Sequence, residues 1–176
     1  MSENLRSWRQ WIEPWYFSYA LLGASVAGLA PIMLPLAVGR RGSVADIGLV
    51  VGAFNLGGLT APAWGGLADR YGLHRWLLLA GLSLTALALA AFPFIPSLNF
   101  ELVLALAQGA GAVSAATVAN LYIVETHPQS EWNERIGWLQ TFYGGGQVAG
   151  LVVAAFSGNP RTGILVAAGL LAVAFL

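Results

Sequence analysis

The sequence predicts an all-α membrane protein, a bundle of six transmembrane helices. Three observations carry that prediction. Hydrophobic residues make up 57% of the 176 positions and charged residues only 9%, against roughly 25% charged in an ordinary soluble domain. Apolar runs of membrane length recur along the chain, and about 20 such residues cross ~30 Å of hydrocarbon. The separators between those runs are short and built from charges, Gly, Pro and Asn, the residues of tight turns.

Residues 1–14 form a segment of their own. Leu5, Trp8, Ile12 and Trp15 recur at helical spacing with Arg6, Arg9 and Glu13 between them, which fits a short helix lying in the interface. No small-residue cleavage site closes the apolar run that follows, so that run reads as a span and not as a leader. Residues 15–176 then form one transmembrane domain, with segments at 15–38, 44–67, 76–95, 100–124 and 136–156. A sixth run begins at Gly163 and is still apolar at Leu176. As a helix its length reaches only about 21 Å, so an incomplete sixth helix with a missing continuation is expected.

With the N-terminus inside, Arg6, Arg9, Arg70, Arg75 and Arg135 fall on the cytoplasmic side and Arg40, Arg41 and Arg161 on the other. This is a weak positive-inside bias. Trp8, Trp11, Trp15, Trp64, Trp76, Trp132 and Trp138 share one face if the spans alternate. Lipid offers no hydrophobic drive between helices, so small residues must allow close approach. Gly48 and Gly52, Gly57 and Gly58, Gly109 and Gly111, and above all Gly146 and Gly150 stand at helical spacing for that purpose. Pro31, Pro35 and Pro62 predict kinks.

Several functions are disfavoured. A formal net charge of zero gives no electrostatic case for nucleic-acid binding. Without cysteine there are no disulfides and no thiolate metal ligands. No charged or histidine side chain lies deep in a span, which argues against a membrane-embedded enzyme. His74 and His127 have no second ligand at metal spacing, so neither a metal nor a cofactor is expected.

Gly65, Asp69, Arg70 and Gly72 spell G-x-x-x-D-R-x-G between the second and third segments, with His74 and Arg75 following. Two charges in so short a gap mark a tight hairpin at the membrane surface. The pattern resembles the loop between helices 2 and 3 of the major facilitator superfamily of secondary transporters. That resemblance implies one half of the family fold, six helices arranged as a 3+3 inverted repeat. It places the protein in the cell membrane with its N-terminus cytoplasmic, and makes the C-terminal half, absent from this sequence, its partner. It also implies a gating role for Gly65, Asp69, Arg70, Gly72 and Arg75. Asp69 would face the positive end of a helix in the opposite half, and the basic residues would close the cytoplasmic side. Leu73 stands where the family usually has Arg, which shifts the expected gating pairs to Arg75. Glu125, at the end of the fourth segment, is expected to pair with Arg75 or Arg70.

Two further signatures are half present. Gln108 and Gly109 remain from a helix-4 pattern whose basic position is Ala105. Gly137, Gly146 and Gly150 match the antiporter spacing of helix 5, but Leu151 replaces its proline. The resemblance puts the first and fourth helices along a central cavity, so Tyr19, Gln108 and Gln147 are the substrate-side candidates. The resulting expectation is alternating-access transport of a small neutral or amphipathic solute across the lipid bilayer, with a lean toward efflux. The alternative is a six-span assembly or interaction protein, or a half-transporter that dimerises.

Overall fold

The computed structural model describes residues 11–174. Among them six helical rods follow in order: α1 (Tyr16–Gly39), α2 (Val44–Tyr71), α3 (His74–Phe94), α4 (Leu98–Thr126), α5 (Trp132–Phe156) and α6 (Pro160–Val173). The first four are long and apolar enough to cross a membrane. α5 has the length, but Gln140, Gln147 and a run of glycines dilute its apolar character, and α6 has only 14 residues. Leu5, Arg6, Trp8 and Arg9 of the expected interfacial helix lie outside the described residues. The part that is described ahead of α1, 11–15, is turn and irregular chain.

Local chemistry explains the irregularities. The middle of α1, Gly23–Leu29, is π-helical. Pro31 lies just downstream and supplies no N–H to the carbonyl four residues before it, which loosens the hydrogen-bond ladder there. α2 opens on a capping box, with Ser43 N donating to Asp46 Oδ2 at 2.6 Å and Asp46 N donating to Ser43 Oγ at 3.3 Å. It breaks at Leu59–Thr60, and Pro62 sits in the first turn of its second piece, Ala61–Tyr71, where a missing N–H costs nothing. α6 starts the same way, with Asn159 as its cap and Pro160 following.

The rods alternate up and down. One end carries Glu13, the α2–α3 hairpin and the α4–α5 connection; the other carries the α1–α2, α3–α4 and α5–α6 connections. The principal packing pairs are α1 with α5 and α6, α4 with α2 and α3, and α3 with α6. Glycine sets the closest of these. Methyl groups at Gly146 and Gly150 would run into the Ala20 and Ala24 carbonyls of α1, and one at Gly109 into the Phe54 carbonyl of α2. Gly48 and Gly52 differ from expectation: among the described residues nothing from another helix lies within 4 Å of a Cβ placed at either, and both are exposed. The core between the helices holds Tyr16, Leu22, Leu29, Met33, Leu89, Ile123, Leu139, Ile164 and Leu171.

Candidate gating hairpin and its ion pairs

The α2–α3 hairpin is held by one buried residue and one glycine. Ala68 is fully buried in a small cluster with Leu77 of α3 and Val118 of α4, flanked by Trp64 and Leu121. That contact fixes the rotation of the last turn of α2, and the next residues, Asp69 and Arg70, are turned outward. Gly72 ends the helix at φ 61°, the left-handed region where a Cβ is penalised. Its N–H bonds the Ala68 carbonyl at 2.8 Å. Gly65, one turn before Asp69, rests on Thr117 and Leu121 of α4.

Asp69 is 62% exposed, and its Oδ1 lies 4.0 Å from His74 Nε2. His74 Nδ1 lies 3.0 Å from Glu125 Oε2. Glu125 therefore meets His74, and not Arg75 or Arg70 as expected. The reason is helical rotation. His74 shares its face with Leu77 and Leu78, which pack toward α4, whereas Arg75 is turned about 100° away. Arg75 is exposed, and the Arg70 guanidinium lies 5.5 Å from the Tyr71 ring. Neither makes an ion pair among the described residues.

A second charged cluster occupies the same end. Glu13, ahead of α1, lies 3.0 Å from His127 Nε2 and accepts from Arg135 at 2.8 Å. The Trp15 indole donates to its other oxygen at 2.7 Å. Arg135 also donates to Glu131 at 2.8 Å and stacks on Trp11 with 5.6 Å to the ring centroid. Burial works against the Arg135 charge, but the Glu131 hydrogen bond and the Glu131 and Glu13 carboxylates outweigh it and raise its pKa above the ordinary arginine value. Sequence reasoning missed this clamp because Glu13 and Arg135 are 122 positions apart. It also missed the opposite end, where Arg41 pairs with Glu101, a carboxylate only 6% exposed.

The three substrate-side candidates do not converge. Tyr19 is buried and lines a cavity of about 510 Å³ together with His74, Arg75 and Leu78 of α3 and Tyr122 of α4. Its ring centroid is 5.2 Å from that of Tyr143. Gln108 is only 1% exposed and lies away from this cavity, with its Nε2 unpartnered among the described residues. Gln147 is partly buried on α5, also away from it.

Residues 15–176 match the family profile described as the Major Facilitator Superfamily. The chain is 30% identical over 160 residues to the multi-drug resistance efflux pump PmrA of Streptococcus pneumoniae, an alignment covering 87% of this chain and 38% of the pump. The PmrA of a second strain of that species gives the same figures. Mouse synaptic vesicle glycoprotein 2C is 30% identical over 105 residues, covering 60% of this chain and 13% of that protein. The chain thus spans well under half the length of these curated relatives.

Proposed function

The chain belongs to the major facilitator superfamily, and on that premise we propose that it forms the N-terminal half of a secondary transporter working by alternating access. Three features support this reading. Exchanging α1 with α4, α2 with α5 and α3 with α6 leaves the set of packing pairs unchanged, which suits a 3+3 inverted repeat. The outer face of α2, with Gly48 and Gly52 open, suits close approach by a helix of a second half. The relatives extend far beyond the aligned region.

The observation that carries the proposal is the contrast between Ala68 and Asp69. Ala68 anchors the end of α2 in the core, while its neighbour presents a carboxylate 62% exposed at the bundle's end. Asp69 is free to meet a positive helix end in the other half in one access state and to leave it in the other. Arg70, Arg75 and the His74–Glu125 pair frame this latch, on the cytoplasmic side if the N-terminus is cytoplasmic. The efflux assignment for PmrA and the uncharged polar groups inside the bundle favour export of a small neutral or amphipathic solute, with Tyr19 the first solute-facing candidate.

The test is efflux of fluorescent neutral and amphipathic solutes by the complete protein. Asp69→Asn is expected to lower transport by about fivefold or more at equal membrane abundance. Undiminished transport removes the gating role.

A further inference from the structure

One atom at the hairpin has no partner. His74 Nε2 is buried without a hydrogen bond among the described residues, on a side chain only 9% exposed. The group facing it, Asp69 Oδ1, lies 4.0 Å away. That is too far for an N–H···O hydrogen bond of about 2.7–3.2 Å. A nitrogen and an oxygen bound to one tetrahedral zinc-sized ion lie about 3.4 Å apart, and the exposed Asp69 side chain closes the remaining difference by a small rotation.

The other ring nitrogen completes the argument. Glu125 Oε2 lies 3.0 Å from His74 Nδ1, and a carboxylate at that position takes the Nδ1–H. In the neutral imidazole Nε2 then keeps its lone pair, with Asp69 Oδ1 as the nearest facing oxygen. A carboxylate orienting an imidazole whose far nitrogen binds metal is a recurrent arrangement in metal sites. One ligand atom from each of Asp69, His74 and Glu125 lies within 4.8 Å of the other two.

We propose that His74 Nε2 and Asp69 Oδ1 bind a divalent transition-metal ion of the Zn²⁺ type. Glu125 holds the imidazole in the metal-binding tautomer, and solvent completes the coordination on the exposed side of Asp69. The imidazole selects against Mg²⁺ and Ca²⁺, which prefer all-oxygen ligands. Two carboxylates balance the charge of the dication. Because the three residues come from the end of α2, the first turn of α3 and the end of α4, a bound ion ties the hairpin to the bundle. The site goes beyond the transport reading, since metal binding needs neither a solute nor a second access state.

Sequence spacing hid this group: Asp69 and His74 are loop neighbours, and Glu125 is brought in only by α4. The experiment is a Co²⁺ titration of the complete protein, purified without a histidine tag and followed by visible d–d absorption. A saturable spectrum displaced by Zn²⁺ is expected. His74→Gln and Asp69→Asn each abolish it, Glu125→Gln weakens Co²⁺ affinity by about 10–100-fold, and His127→Gln leaves it intact. Thermal unfolding without metal reports whether each variant is folded, and the exposed Asp69 keeps the test decisive if His74→Gln does not fold. No saturable spectrum in the parent protein, or one retained by folded His74→Gln or Asp69→Asn, overturns the proposal and leaves only water in the gap.

Discussion

Gly146 of α5 lies against Ala20 of α1 backbone to backbone, with no room between them for even a methyl group. Four residues on, Gly150 repeats the contact against Ala24, and in return Gly23 and Gly28 of α1 receive the Tyr143 and Gln147 carbonyls. The π-helical stretch Gly23–Leu29 lies along this contact, so the widened backbone and the interlocked glycines occupy one face.

Gly146→Val is therefore expected to lower stability by about 1–3 kcal/mol through overpacking. Gly144→Val, two positions away and with nothing within 4 Å of its Cβ position, is expected to stay within about 0.5 kcal/mol of the parent. Thermal unfolding in detergent of the two variants side by side measures the difference. Equal melting of both would remove the close α1–α5 contact.

At the opposite end from the hairpin, Glu101 is a nearly buried carboxylate whose partner is Arg41. Arg41→Leu leaves that charge without its partner and, because Arg41 is itself 39% exposed, is expected to cost about 1–3 kcal/mol, whereas adding Glu101→Leu recovers most of the loss. A double-mutant cycle on chemical denaturation reads the coupling. Additive effects would show that the pair does not hold α4 to the α1–α2 connection.

Glu13 ties the chain ahead of α1 to Arg135 and His127. Arg135→Gln removes two charge-assisted hydrogen bonds and is expected to destabilise this attachment by about 1.5–3 kcal/mol. Hydrogen exchange at residues 11–18 should rise while exchange in the middle of α4 stays unchanged. Exchange that is the same in parent and variant would mean that Glu13 does not anchor the segment.

Gly72 has open space around its Cβ position but a φ of 61°. The cost of a side chain there is conformational alone: about 1–2 kcal/mol for Gly72→Ala, and less for Gly72→Asn, which tolerates the left-handed region. Unfolding midpoints that rank Gly, Asn, Ala from highest to lowest check this; Ala equal to Gly contradicts it.

The rods were legible because hydropathy and turn chemistry act locally. Each predicted segment falls within four residues of its helix, from 15–38 against Tyr16–Gly39 to 136–156 against Trp132–Phe156. The interruption of α2 near Pro62 was also foreshadowed by that proline. The hairpin motif was visible as a motif, but its partners were not. Whether Glu125 meets His74 or Arg75 depends on which face of α3 turns toward α4. Neighbouring residues differ by about 100° in that respect, and the charge pattern alone does not resolve it.

Composition and spacing by themselves determined a helical membrane bundle, the places where it turns, and the charged hairpin with its closing glycine. Tertiary structure alone decided which charges meet. Glu13 with Arg135, Arg41 with Glu101 and His74 with Glu125 are separated by 122, 60 and 51 positions. It also decided which glycines touch a neighbour and which lie open. Local periodicity reports how a segment shields itself from water or lipid, whereas a partner is chosen by the rotation and crossing of two rods that no short stretch of sequence contains.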